Sequence, residues 1–371
     1  MEKKQLTELF KKYHDGTCTE EEKALLEAWY LQYNEQQDAN LSYRQFKAVK
    51  DRIFRELPGN HTSFLKAGAR LMAAAALIGV IITIALYFLT GTPKPAGQPL
   101  VNDVPPGINK AILKLADGRR INLNDAKNGR LMVQSGIQII KNSAGQVTYQ
   151  ASGAAATDHS PNTITTPKGG QWKIQLPDGT NVWLNAATSL TFPSSFAQLK
   201  NRSVSLDGEA YFEVAKDKAH PFIVQSTGQQ VEVLGTHFDI NCYRDEPTAR
   251  TTLAEGSVKI ATDKGDGAKY LTPGKQAILS GGRLTVSDAD LQENLAWVNG
   301  QFWFNDESIQ SIMRKLARWY DIDVQYQGQP SKDGLNGRIS RYKNISQVLR
   351  ALAATQTIHF KMEGRRVTVM K

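Results

Sequence analysis

The sequence has only two cysteines in 371 residues, Cys18 and Cys242. A disulfide-dense scaffold is therefore excluded. Its 29 glycines and 14 prolines are too few for a collagen-like rod. The six histidines (His14, His61, His159, His220, His237 and His359) are scattered, and no His-Glu-x-x-His occurs. Metal-site spacing is absent. There is no Gly-x-x-x-x-Gly-Lys-Ser/Thr, no Gly-x-Gly-x-x-Gly opening a helix and no Gly-x-Ser-x-Gly. These absences remove the nucleotide loops and the hydrolase elbow. No cofactor, no metal and no enzymatic activity are expected.

Long apolar runs are also scarce, and the one exception sets the expected class. Leu71 to Leu89 reads LMAAAALIGVIITIALYFL, without a charge. As a helix it would be about 28 Å long, close to the thickness of a bilayer core. Arg55, Lys66 and Arg70 precede it, whereas Lys94 stands alone behind it. The positive-inside rule then places the N-terminus in the cytoplasm and the C-terminus across the membrane. Cys18 and Cys242 would lie on opposite sides and could not pair within one chain. Overall charge is +9, from 45 basic and 36 acidic residues. Residues 1–70 hold 12 basic and 11 acidic residues, so the excess lies beyond them. A basic nucleic-acid-binding head is disfavoured.

Residues 1–65 read as three amphipathic helices. Leu6, Leu9, Phe10 and Tyr13 form the first stripe, and Leu25, Leu26, Trp29 and Tyr30 the second. Tyr43, Phe46, Val49, Ile53 and Phe54 form the third. Thr19 and Glu22 have the spacing of a capping box. Such a bundle is either self-sufficient or completes its burial against a partner helix. Residues 66–90 are the expected span, and residues 91–108 a Pro-rich linker.

From Asn109 the pattern changes to period two. Asp117-Gly118 and Asp178-Gly179 each separate two alternating runs, a hairpin signal that recurs about 60 residues apart. Residues 109–290 read as an all-β domain, either stacked hairpins with a solenoid-like coil or a sandwich. Residues 295–371 read as an α+β module with two strand–helix–strand units. Asn305 or Asp306 caps the first helix and Asn344 the second. Arg314, Lys315 and Arg318 read as the wet face of the first helix, and Asp245-Glu246 as a solvated loop. The expected fold class is thus a multidomain bitopic membrane protein: an all-α bundle, one transmembrane helix, an all-β domain and an α+β module.

The β region resembles the FecR family of transmembrane sigma-factor regulators. The resemblance rests on Leu176-Pro177-Asp178-Gly179-Thr180 with Val182-Trp183-Leu184-Asn185-Ala186. It continues through Gly208-Glu209-Ala210-Tyr211-Phe212-Glu213-Val214, His220-Pro221-Phe222 and Val233-Leu234-Gly235-Thr236. Glu255-Gly256-Ser257-Val258 and Pro273-Gly274 complete it. The C-terminal module is similar to the short signalling domain of TonB-dependent transducers.

The family implies an anti-sigma factor in the bacterial inner membrane. It would relay a signal from the periplasmic signalling domain of a TonB-dependent outer-membrane receptor to a cytoplasmic extracytoplasmic-function sigma factor. Uptake genes for an iron chelate or a glycan would respond, and periplasmic and intramembrane proteases would carry the signal across. On this reading Leu6, Phe10, Leu25, Trp29, Tyr30, Phe46 and Ile53 meet the sigma factor. Arg314, Arg318, Arg365, Val367 and Val369 meet the receptor. Relatives that cut themselves at a Gly-Thr bond make Gly235-Thr236 a candidate self-cleavage site, against the plain alternative of a glycine turn between strands. The rival function is a membrane-anchored periplasmic module that binds a glycan or a protein, with no sigma partner.

Overall fold

Residue-by-residue alternation organises the molecule from Asp103 onward. In Gly170–Gln175 every second residue is buried, with Trp172 and Ile174 inward and Lys173 outward. Thr188–Pro193 repeats the pattern. A side-chain period of two gives each strand one dry face, which must be covered by a second sheet. A computed structural model describes residues 103–370, apart from 135–136, 144, 152–157, 264–266, 330–332 and 355–357, together with Thr19.

Among the described residues, the strands of the β region form an eleven-stranded and a nine-stranded sheet. The first runs from Arg283–Asp288 at one edge to Gly129–Gln134 at the other. The second runs from Lys269–Leu271 to Arg120–Asn122. The chain weaves between them. Arg202–Asp207 belongs to the nine-stranded sheet and the next strand, Glu209–Glu213, to the eleven-stranded one. The hairpin at Asp117-Gly118 lies in the nine-stranded sheet, and that at Asp178-Gly179 in the eleven-stranded sheet. The recurring sequence unit is therefore local and does not stack as one coil.

Both sheets feed one core. Leu113, Ile164, Leu190 and Val224 enter it from one side, and Ile174, Val182, Phe212 and Phe238 from the other. Phe212 and Phe238 stand opposite in register and stack with centroids 5.0 Å apart. Phe222 reaches Phe212 from the other sheet at 6.2 Å. Each such ring contributes roughly 1.5–3 kcal/mol through burial.

Beyond the sandwich lie a short helix, α1 (Leu291–Asn294), and a module with two longer ones, α2 (Ile309–Tyr320) and α3 (Ile345–Ala353). Strand Gln301–Glu307 pairs antiparallel with Leu335–Ser340. Arg366–Met370 pairs parallel with Asp323–Gln327 and antiparallel with His359–Glu363. Ile309, Ile312, Met313, Leu316 and Tyr320 of α2 join Ile345, Val348 and Leu352 of α3 in a second core. The cap of α2 is Ser308, which accepts from the Ser311 N–H, and not Asn305 or Asp306. The preceding strand runs on through Glu307 and moves the helix start.

The expected fold class is corrected. The described residues are mostly β-sheet, and their helices span 4, 12 and 9 residues. None is long and apolar enough to cross a membrane. The longest, α2, measures about 18 Å and carries Arg314, Lys315 and Arg318 among its apolar residues. The expected bundle of 1–65 and span of 66–90 lie outside the described residues, Thr19 apart. The expected linker of 91–108 is packed over its last part, where Val104 joins the second core.

Phe238→Ala should destabilise the chain by about 3–5 kcal/mol, because the stacked ring leaves a cavity. Urea denaturation followed by circular dichroism measures it. A loss under about 1 kcal/mol would show a core able to collapse around the gap.

Candidate functional site

A cleft of about 300 Å³ lies where α2 and the turn after α1 meet the end of the sandwich. Its floor is polar and buried. Glu209 opens a central strand, and both of its carboxylate oxygens are taken by side-chain amides. Asn185 Nδ2 donates to Oε2 at 2.5 Å, and Asn241 Nδ2 donates to Oε1 at 2.8 Å. Arg341, only 2% exposed, comes from the other side. Its Nη2 donates to Asn185 Oδ1 at 2.7 Å and its Nη1 to the Trp297 carbonyl at 3.0 Å. The guanidinium also lies 3.8 Å from the Trp319 ring centroid. Burial pushes its pKa down to about 10, against the pull of Glu209. Trp319 Nε1 donates to the Arg341 carbonyl at 2.8 Å, which fixes the indole.

A second charged cluster lies on the flank. Arg314 and Arg318, one helical turn apart on α2, share Glu246. Arg314 donates from Nε and Nη2 to Oε2 at 2.9 and 2.6 Å. Arg318 Nη2 donates to Oε1 at 2.7 Å, and its Nη1 to both oxygens of Asp245 at 3.0 and 2.9 Å. The Arg318 guanidinium stacks 4.0 Å from the Tyr243 ring centroid. The Tyr243 hydroxyl donates to the Ala186 carbonyl at 2.7 Å. This corrects two sequence expectations. The Asp245-Glu246 loop is not solvated at Glu246, whose side chain is 11% exposed, and Arg318 is not on a wet face. Helical periodicity reports the face turned to a helix's own core. It is blind to a second surface supplied by residues about 70 positions earlier.

Asp239 is the least compensated group. It is 4% exposed and accepts from Trp297 Nε1 at 3.1 Å. Desolvation raises its pKa well above the usual carboxylate range, and the nearby Glu209 charge adds to this. The Trp297 bond and the Arg250 charge oppose the rise.

The remaining predicted site residues are spread out. Val367 and Val369 are buried in the module's core. Arg365 Nη1 donates to the Tyr320 and Asp321 carbonyls at 2.9 and 2.7 Å, on an exposed side chain. Arg314 and Arg318, two of the five residues assigned to a receptor, hold the module to the sandwich through Asp245 and Glu246. Gly235 has φ 147° between two strands, and Thr236 is buried beside it. The Thr236 hydroxyl donates to the Ser257 carbonyl at 3.0 Å, so its partner is not a base. The seven residues assigned to a sigma factor lie outside the described residues. Among the described residues, no group of three or more His, Cys, Asp or Glu could hold a metal ion.

Sequence reasoning missed Asn185, Glu209, Asp239, Trp297 and Arg341 as one constellation. The available signal was polar residues in strands that are otherwise apolar, as in Leu184-Asn185-Ala186 and Gly208-Glu209-Ala210.

Two outcomes are expected. Glu246→Ala leaves Arg314 without its partner and Arg318 with Asp245 alone, and should cost about 1–3 kcal/mol, read by urea denaturation. Asp239 binds its proton more tightly folded than unfolded, so its contribution is present at low pH and is lost as pH rises through the folded pKa. Asp239→Asn, which keeps an acceptor for Trp297, should therefore match the parent near pH 4 and melt higher than it at pH 8. Equal melting temperatures at both pH values would contradict a raised pKa.

Comparison with known proteins matches this architecture. Residues 162–259 match the family model described as FecR protein, and residues 301–369 that described as FecR, C-terminal. No curated protein matches the chain. Two crystal structures of a proposed anti-sigma factor from Parabacteroides distasonis ATCC 8503 are similar to it. One is 28% identical, with a TM-score of 0.53, over 57% of this chain and 99% of that one. The other is 29% identical, with a TM-score of 0.53, over 56% of this chain and 98% of that one. The chain therefore carries a FecR domain over residues 162–259 and a FecR C-terminal domain over residues 301–369.

Proposed function

We propose that the chain is an anti-sigma factor whose described residues form its sensory part. The observation that carries this reading is the paired FecR and FecR C-terminal domains in a body similar to a proposed anti-sigma factor. The site adds a physical argument. Its charged groups pair with one another across the junction of sandwich and module, an arrangement suited to holding two bodies in register and poorly suited to turnover.

On this reading the sigma factor is of the extracytoplasmic-function class and is held by residues 1–65. The uncharged run Leu71–Leu89 supports an inner-membrane location, with the sandwich and module in the periplasm. The module then faces the signalling domain of a TonB-dependent outer-membrane receptor, and proteases carry the signal inward. Iron-chelate or glycan uptake genes are the controlled set. Of the residues assigned to the receptor, Arg365 keeps an exposed side chain.

Purification of the full chain from its native cells, with bound proteins identified by mass, tests the reading. A sigma factor in about one-to-one ratio is the expected result. A folded chain that brings down no sigma factor, yet is retained by cell-wall glycan, would overturn it in favour of an anchored binding module.

A further inference from the structure

The described chain begins against its own far end. The Asp103 carboxylate accepts from the Ser346 N–H at 3.1 Å and from the Ser346 hydroxyl at 2.7 Å, 243 residues away in sequence. Ile345 N–H donates to the Val104 carbonyl at 3.1 Å. Two first-turn donors of α3, which no helical carbonyl can satisfy, are thus filled by a remote segment, and one acceptor is an anion at a helix N-terminus. Burial raises the Asp103 carboxyl pKa, but the bonds from Ser346 and Asn344 bring it below its ordinary value. Val104 is 5% exposed and packs in the module's core.

The segment then crosses to the sandwich. Gly107 passes so close to Trp319 that a Cβ there would sit 2.8 Å from the indole carbons. Ile108–Asn109 pairs parallel with the start of Gly170–Gln175, and Ile108 N–H donates to the Gly169 carbonyl at 3.0 Å. Gly169 N–H in turn donates to the Arg318 carbonyl at 2.8 Å. Trp319 also carries the Arg341 guanidinium. The segment and the polar junction therefore share one indole and the end of one helix.

We propose that residues 103–107 are a latch: the module seated on the sandwich keeps this strap closed, and displacement of the module releases it. The chain upstream of Asp103 then senses the module's position through a few hydrogen bonds and one apolar side chain. This deepens the regulatory reading above and rests on it only for what displaces the module. The alternative is a strap and a junction that open independently.

Hydrogen–deuterium exchange on the full chain separates the two. Gly107→Ala drives a methyl against the Trp319 ring and replaces no residue of the Arg341, Asn185 and Glu209 network. Exchange at the Ile345 and Ser346 amides should rise on the order of tenfold, and exchange at the Gly169 amide should rise with it. In the reverse direction, Asn185→Ala loosens the junction and should raise exchange at Ile345, Ser346 and Ile108. Variants that each loosen only their own side would overturn the latch. Should Gly107→Ala fail to fold, Asp103→Ala opens the strap by removing its anion and is read in the same way. No sigma factor or receptor enters the measurement, so its failure leaves the proposed function standing.

Discussion

A buried guanidinium sets the terms for the junction. Arg341 has almost no contact with water, and an unpaired charge there would be strongly destabilising. Its partners are consequently constrained as well. Asn185 presents its oxygen to Arg341 and must turn its amide to Glu209, and the second oxygen of Glu209 is claimed by Asn241. Trp319 lies beside the guanidinium and bonds the backbone of the same residue. The chain of dependence runs from the module through Arg341 to two strands of the eleven-stranded sheet. Shifting the module by one hydrogen-bond length would break several of these bonds at once.

Such a junction differs from a hydrophobic one. Buried ion pairs and amide networks add little net stability compared with apolar packing, but they penalise every wrong alignment. Sandwich and module each have an apolar core of their own. Between them lie charged and amide groups that water can satisfy, together with the Tyr243 and Trp319 rings and Ala186, which packs in the module's core. Parting therefore requires loss of specific geometry as well as exposure of those rings.

Much of the β region is legible from local pattern. Asp117-Gly118 and Asp178-Gly179 mark tight hairpins because both the turn chemistry and the flanking alternation are encoded within about ten residues. Which sheet each hairpin joins is not local, and the similarity between the two units misleads on that point. No Asp-Gly turn marks the strands Gly129–Gln134, Ile137–Lys141 and Val147–Ala151. The junction was the least legible part. Arg318 and Glu246 both carry charge in sequences that read as solvent-facing, and only their meeting across the fold makes them interior. Val367 and Val369 show the converse, since alternation identifies a strand without saying which face is covered.

The parallel strand Ile108–Asn109 and the strap before it have a consequence for the order in which the molecule is made. Asp103 leaves the ribosome first, yet its partner Ser346 is 243 residues behind it. At elongation rates of about 5–20 residues per second that interval is roughly 10–50 s, long enough for the sandwich to form before the strap has anywhere to dock. The strap contacts are thus among the last that the chain can make. A chain broken off before α3 could complete the sandwich and still leave Asp103 and Val104 without their seat. Closure of the strap is in effect a report that synthesis has passed α3.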